Sequence, residues 1–127
     1  MKKDIVIYPA IFSQDGDYIF ARIPDLKGGF TQGNDTVDAV QMSGDLIGNL
    51  LEDQTEYPQA TEVDPSSLGS DEKLVYITTD LSAFRQEFSR TVRKNVTIPE
   101  YLNDMAKKQK LNVSKVLTDA LKTKFGV

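Results

Sequence analysis

The chain has 127 residues, a length that fits one ordinary domain or two very small ones. It contains no Cys and no His, which excludes disulfides, thiolate metal sites, cysteine nucleophiles and imidazole catalysis. Its net charge of −4 conceals a split: residues 1–90 carry 7 Lys and Arg against 16 Asp and Glu, a net −9, whereas residues 91–127 carry 8 against 3, a net +5. An acidic body followed by a basic tail predicts two modules with different partners.

No apolar run approaches the ~18 residues of a membrane span. The N-terminus, Met-Lys-Lys-Asp-Ile-Val, lacks the apolar stretch and cleavage site of a signal peptide. The expected location is the cytoplasm, with no membrane partner.

Ile5 to Phe12 reads as a strand rich in β-branched and aromatic residues. Pro9 removes one ladder donor and is expected at an edge or a bulge. Gln14-Asp15-Gly16-Asp17 is a turn, and Tyr18 to Ile23 returns as the second strand of a hairpin. Gly28-Gly29 makes the next turn, and Phe30-Thr31-Gln32 reads as a short third strand. A helix then starts at Asn34-Asp35-Thr36, with Asp35 or Thr36 as cap and Asp38 in the first turn, where the helix dipole favours a carboxylate. Val37, Val40, Ile47, Leu50 and Leu51 recur at helical spacing, and Gly44 and Gly48 predict close packing of this helix on the sheet. Residues 52–72, rich in Pro, Ser, Gly and acids, are expected to form a flexible loop that is partly ordered at best. Leu74 to Ile77 is another strand, and Asp80-Leu81-Ser82 can cap a short helix through Phe88. The first module is thus β-β-β-α-β, and one long helix can cover only one face of its sheet. Tyr8, Phe12, Tyr18 and Phe20 are read as one face, and Ile7, Ile11, Ile19 and Ile23 as the other. Either set can be core.

The last 37 residues have a different grammar. Val92 to Ile98 reads as one short strand, stopped by Pro99, which opens a helix with Leu102, Met105 and Ala106 as its apolar stripe. Leu111-Asn112 breaks that helix. Asn112 can cap a second one, lined by Val113, Val116, Leu117, Ala120, Leu121 and Phe125 and ended by Gly126. So short a segment cannot close a core alone. Pairing the strand with its copy from another chain solves this, and it predicts a homodimer through an antiparallel ribbon above four helices. The outer face of that ribbon presents Arg93, Asn95 and Thr97 to base edges in a major groove. Lys94 and Lys115 add positive charge, and the N–H groups of Val113 and Ser114 can hold a DNA phosphate. A purely structural dimerisation module is the alternative.

A nuclease would need several carboxylates converging on metal ions. The candidates are Asp4, Asp15, Asp17, Asp25, Asp35 and Asp80. Asp15, Asp17 and Asp35 fall where turns and caps place aspartate for structural reasons. The expectation is therefore no enzyme, no metal and no cofactor.

Two runs carry a family resemblance. Residues 91–127 resemble a ribbon-helix-helix DNA-binding domain (β-α-α) through Arg93-Lys94-Asn95-Val96-Thr97-Ile98-Pro99-Glu100-Tyr101-Leu102 and Leu111-Asn112-Val113-Ser114-Lys115-Val116-Leu117-Thr118-Asp119-Ala120-Leu121. Residues 1–90 resemble the HicB antitoxin family through Ile23-Pro24-Asp25-Leu26-Lys27-Gly28-Gly29-Phe30-Thr31-Gln32-Gly33, then Thr36 and Asp38-Ala39. Lys27 replaces the family's usual proline, and Gly29 stands at its small-residue position. Tyr57-Pro58 and Asp80-Leu81-Ser82-Ala83-Phe84 fit later segments. The resemblance implies an α+β chain with a degraded RNase H-like domain that inhibits HicA, a small mRNA-cleaving toxin using a histidine. It also implies a tail that represses the operon encoding both proteins, as a dimer or a dimer of dimers. Candidate toxin contacts are Tyr8, Phe12, Tyr18, Phe20, Arg22, Asp25 and Phe30. The alternative function is a ribbon-helix-helix transcriptional regulator whose first domain senses a small ligand or another protein.

Overall fold

The computed structural model describes residues 4–127, so the first three residues of the N-terminal reading lie outside it. The chain divides into two compact units, one ending at Ser89 and the other spanning Arg90 to Val127. In the first, strands β1 (Ile5–Asp15), β2 (Tyr18–Arg22), β3 (Phe30–Gly33) and β4 (Glu72–Asp80) form an antiparallel sheet in the order β3-β2-β1-β4. Helices α1 (Thr36–Leu51) and α2 (Leu81–Phe88) complete this α+β unit.

The β1–β2 hairpin sets the register of the sheet. Asp15 pairs with Tyr18 across a two-residue loop, and Gly16 adopts φ of 61°, which the mirror-image turns of tight hairpins require. Residues 15 and 18 have opposite parity, so even-numbered residues of β1 share a face with odd-numbered residues of β2. The four aromatics therefore do not share a face, which corrects the sequence expectation. Tyr8 and Phe12 are 2% and 4% exposed and join Ala10, Ala21, Ile23, Ile77, Ile47 and Leu51 in the core. Tyr18 and Phe20 lie on the other face, with Ile7 and Ile11. Ile19 and Ile23 are likewise separated from Ile7 and Ile11 by the same parity.

Pro9 lies in a strand that is central, yet its position behaves as an edge. The β2 ladder starts at Ile11, so β1 has only β4 beside it at residue 9. Odd residues of β1 direct their N–H toward β2, as the closing pair at Asp15 shows. The donor missing at Pro9 thus has no strand to serve.

Asp35 caps α1 by accepting the Asp38 N–H at 2.8 Å, and the Asp38 carboxylate accepts the Asn34 N–H at 2.8 Å. The buried line of α1 is Ala39, Ser43, Ile47, Gly48 and Leu51. Val37 and Val40 are exposed, so the helical period was right and the phase was wrong at its start. Small residues occupy the first turns of the true core line, and their low hydrophobicity hides them from a hydropathy pattern. Ser43 buries its hydroxyl at no cost by donating to the Ala39 carbonyl at 2.7 Å. Close packing at the two glycines has two different partners. The Gly44 carbonyl accepts the Thr79 hydroxyl of β4 at 2.9 Å, whereas Gly48 lies directly against the ring of Phe84 in α2.

The first half of the 52–72 segment, through Thr61, is tied to the rest of the unit, which the expected flexible loop does not anticipate. Tyr8 donates its hydroxyl to the Pro58 carbonyl at 2.6 Å. Thr61 donates its N–H and hydroxyl to Asp25 at 3.1 and 2.8 Å. Arg85 of α2 donates to the Glu52 carbonyl at 2.7 Å, the Gln54 carbonyl at 3.3 Å, the Tyr57 hydroxyl at 2.9 Å and Asp4 at 2.9 Å. Tyr57 in turn donates to Asp4. One guanidinium thus ties the start of β1, the loop and α2 together. Burial first, and then the bond to Asp4, raise the Tyr57 pKa; burial is also the first cause of the rise at Tyr8.

The second unit contains α3 (Glu100–Lys108) and α4 (Val113–Phe125). Pro99 is the residue before α3 and not its first residue. After α3, Lys110 adopts φ of 53° and donates to the Lys107 carbonyl at 3.1 Å, while Leu111 donates to the Ala106 carbonyl at 2.9 Å. This is the two-bond helix stop in which glycine is usual. Asn112 caps α4 by accepting the Lys115 N–H at 3.1 Å. Val92 to Ile98 carries no strand pairing among the described residues of the single chain, whose expected partner strand belongs to a second copy. A strand is stabilised by a neighbouring strand, and this unit supplies none.

Four variants check this packing. Gly48→Ala should cost about 1–3 kcal/mol in urea unfolding, because the new methyl overlaps the Phe84 ring. Gly44→Ala meets only ordinary contact at 3.7 Å from the Thr79 hydroxyl, and it should stabilise α1 by about 0.5–1 kcal/mol. Arg85→Ala should cost about 2–3 kcal/mol, since several partly buried acceptors lose their donor together. Raised tyrosine pKa values mean that their contribution is complete below the unfolded value near 10 and is lost as pH rises through the folded values. The Tyr8→Phe/Tyr57→Phe double variant should therefore show a shallower loss of stability in alkaline titration.

Candidate partner-binding surfaces

The core side of the sheet is filled by α1 and α2, and the opposite side is bare. On it, register places Ile11 of β1 opposite Arg22 of β2, Ser13 opposite Phe20 and Asp15 opposite Tyr18, while Ile5, Ile7 and Pro9 continue the same face beyond the β2 ladder. Phe30 of β3 stands opposite Arg22, and Tyr76 of β4 opposite Pro9. Phe30 is 63% exposed and Tyr76 56%, and Ile5, Ile7 and Tyr18 are also exposed. Pro9 and Ile11, in the middle of the same face, are buried. The result is a face rich in exposed apolar side chains, interrupted by Ser13, Asp15 and Thr78, on a unit that is strongly acidic, a combination that marks interaction surfaces. Arg22 is its one cation among the described residues. It pairs with Glu72 at 3.4 Å, and the bond from the Gly69 N–H, ahead of Arg22, holds the Glu72 pKa below its ordinary value.

Of the seven partner-contact candidates read from sequence, Tyr18, Phe20, Arg22 and Phe30 come together on this face. Tyr8 and Phe12 lie beneath it in the core, and the Asp25 carboxylate is occupied by Thr61. Sequence reasoning missed Ile5, Ile7 and Tyr76. The two-residue spacing of Gly16-Asp17 held the signal that finds them, since it fixes the parity of the hairpin. A second depression lies on the helix side, lined by Phe12, Ile19, Thr36, Asp71, Lys73 and Val75 among others. It adjoins the N-terminus of α1, where Asp35 and Asp38 already take up the helix donors.

The six carboxylates weighed for nuclease chemistry do separate work. Asp35 and Asp80 are helix caps, Asp15 and Asp17 flank the hairpin turn, Asp25 holds Thr61 and Asp4 holds Arg85. No group of three or more acidic, His or Cys side chains among the described residues is arranged to hold a metal ion. No described helix is long and apolar enough to cross a membrane.

In the second unit, neither helix buries a single residue. Leu102, Met105 and Leu111 line one apolar groove, and Val116, Leu121 and Phe125 are exposed as well. Arg93, Lys94, Asn95 and Thr97 are all exposed in the unpaired segment before α3. Val113, Ser114 and Lys115 form the first turn of α4, also exposed. Lys115 pairs with Asp119 at 3.0 Å, four residues on. Such an exposed pair stabilises the helix little and yields readily to a competing anion.

No protein-family model and no curated protein sequence matches the chain. Solved structures do. A chain of a toxin–antitoxin complex from Streptococcus pneumoniae superposes with a TM-score of 0.54 at 24% identity, over 95% of this chain and 99% of that one. The antitoxin HicB from Burkholderia pseudomallei gives a TM-score of 0.48 at 19% identity, over 95% and 96%. The first of these establishes that this chain shares its fold with a component of a toxin–antitoxin complex across nearly its full length.

Proposed function

We propose that this chain is a HicB-type antitoxin. Its acidic unit, a degraded RNase H-like domain, docks a basic ribonuclease toxin of the HicA kind. Its basic unit is a ribbon-helix-helix domain that represses the operon encoding both proteins. One observation carries the reading: residues 1–90, net −9 with a bare apolar sheet face, are joined to residues 91–127, net +5, whose apolar side chains are all unburied. Toxins that grip RNA need a basic surface, and opposite charge steers such partners together and fixes their orientation. The bare face supplies the apolar contact that charge alone does not. The shared fold with a chain of a toxin–antitoxin complex supports the same reading.

In the second unit, dimerisation explains the unburied side chains. Two copies of residues 92–98 pair as an antiparallel ribbon, and α3 and α4 of both chains bury Val96, Ile98, Leu102, Met105, Val116 and Leu121 beneath it. Arg93, Asn95 and Thr97 then project from the other side as six side chains within one major groove. Lys94, Lys115 and the N–H groups of Val113 and Ser114 hold the DNA backbone.

The two activities should separate. Arg93→Ala or Asn95→Ala should weaken operator binding by about tenfold or more while toxin neutralisation in co-expression persists. Phe30→Asp should do the reverse. Operator affinity should also fall steeply with salt, with a log–log slope of about −0.9 per phosphate contact. Loss of both activities in a still-folded single variant, or a flat salt dependence, contradicts the modular reading. Unfolding of the second unit should shift to higher temperature as protein concentration rises, because its core forms only between two copies.

A further inference from the structure

The outer edge of β4 has properties that the proposed antitoxin role does not use. Leu81 donates its N–H to the Asp4 carbonyl at 2.8 Å. Hydrogen-bonded positions along an antiparallel pair alternate by two residues, so Thr79, Ile77 and Val75 direct their backbone groups to β1. The hairpin gives the same phase independently, since odd residues of β1 bond β2 and even ones, such as Tyr8 opposite Ile77, bond β4. Leu74, Tyr76 and Thr78 therefore point their N–H and C=O groups away from the sheet. Among the described residues, no other segment hydrogen-bonds to them.

Edge strands are normally protected by charge, proline, a bulge or a cover. Residues 74–79, Leu-Val-Tyr-Ile-Thr-Thr, have no charge and no proline, and their register with β1 runs without a bulge. Carboxylates stand at both ends of the strand, Asp71 just before it, Glu72 as its first residue followed by Lys73, and Asp80 as its last. A second copy of this chain fits poorly. Two outward-pointing edges must pair even residue with even residue. The register of full overlap then sets Tyr76 opposite Tyr76 and Glu72 opposite Asp80 twice, and it joins two −9 units.

We infer that the outer edge of β4 adds a strand from the basic protein partner: an extended segment with β-branched or aromatic residues in its middle and Lys or Arg at each end. Main-chain bonds to Leu74, Tyr76 and Thr78 provide the affinity, and the terminal cations meet the charge of Glu72, shared with Arg22 and the Gly69 N–H, and of the α2 cap Asp80, which favours one register. The inference rests on the antitoxin reading and adds to it a defined binding mode.

Amide hydrogen exchange tests it on the full chain, alone and with the basic toxin that the antitoxin reading places in the same operon. The expected result is slowing of the Leu74, Tyr76 and Thr78 amides in the complex by about tenfold or more. Thr78→Pro removes only an outward N–H and leaves the β1 ladder intact, so it should weaken the complex by about tenfold. Thr78→Val keeps that N–H and should bind within about twofold of the parent. A complex in which the three amides exchange as in the free chain overturns strand addition and leaves the antitoxin reading standing. Failure to form any complex overturns both. Slowing in the chain alone that grows with its concentration places a second copy on the edge and overturns the assignment.

Discussion

The parity of one hairpin governs the acidic unit. Asp15 and Tyr18 close a two-residue loop, and Gly16 supplies the positive φ that the tight turn needs. That single pairing decides which side chains of β1 and β2 share a face, because a slip of one residue turns every side chain over. It sends Tyr8, Phe12, Ala21 and Ile23 under the helices and leaves Ile5, Ile7, Tyr18 and Phe20 on the side no helix covers. The same alternation assigns each backbone group to an inner or outer neighbour. It thereby determines where Pro9 is tolerated and which groups of β4 face outward.

Above the sheet, the helices are positioned by what is missing as much as by what is present. Gly48 lets the Phe84 ring of α2 lie against α1, and Gly44 brings a helix carbonyl within reach of Thr79. Once α2 is seated, Arg85 gathers the Glu52 and Gln54 carbonyls, Tyr57 and Asp4 around one cation. This ordering of the loop uses backbone acceptors and two tyrosine hydroxyls, so it needs little apolar area. It also accounts for Asp25 and Asp4 as structural carboxylates.

The basic unit follows the opposite logic. Its helices are well terminated, by Asn112 at one start and by paired left-handed stops at Lys110 and Gly126, yet they bury nothing. Local signals suffice to shape each helix, but they cannot supply a core to a segment this short. An amphipathic surface and a net +5 thus coexist on a segment that does not bury its own apolar side chains.

Much of this was legible in the residues. Turn glycines, cap aspartates and helical spacing located the elements, because these depend on neighbours within about one helical turn. The charge split was likewise a property of the sequence alone, as were Asp35, Asp80 and Asn112 as caps. The tertiary structure alone decided which stripe of α1 was buried: Ala39 and Ser43 displaced the more hydrophobic Val37 and Val40, because close packing against the sheet rewards small size. It also decided that Tyr8 and Phe12 are core while Phe30 and Tyr76 are surface, and that the loop is held from Glu52 to Thr61. Those outcomes depend on contacts such as Arg85 with Asp4, 81 residues apart, which no local pattern can register.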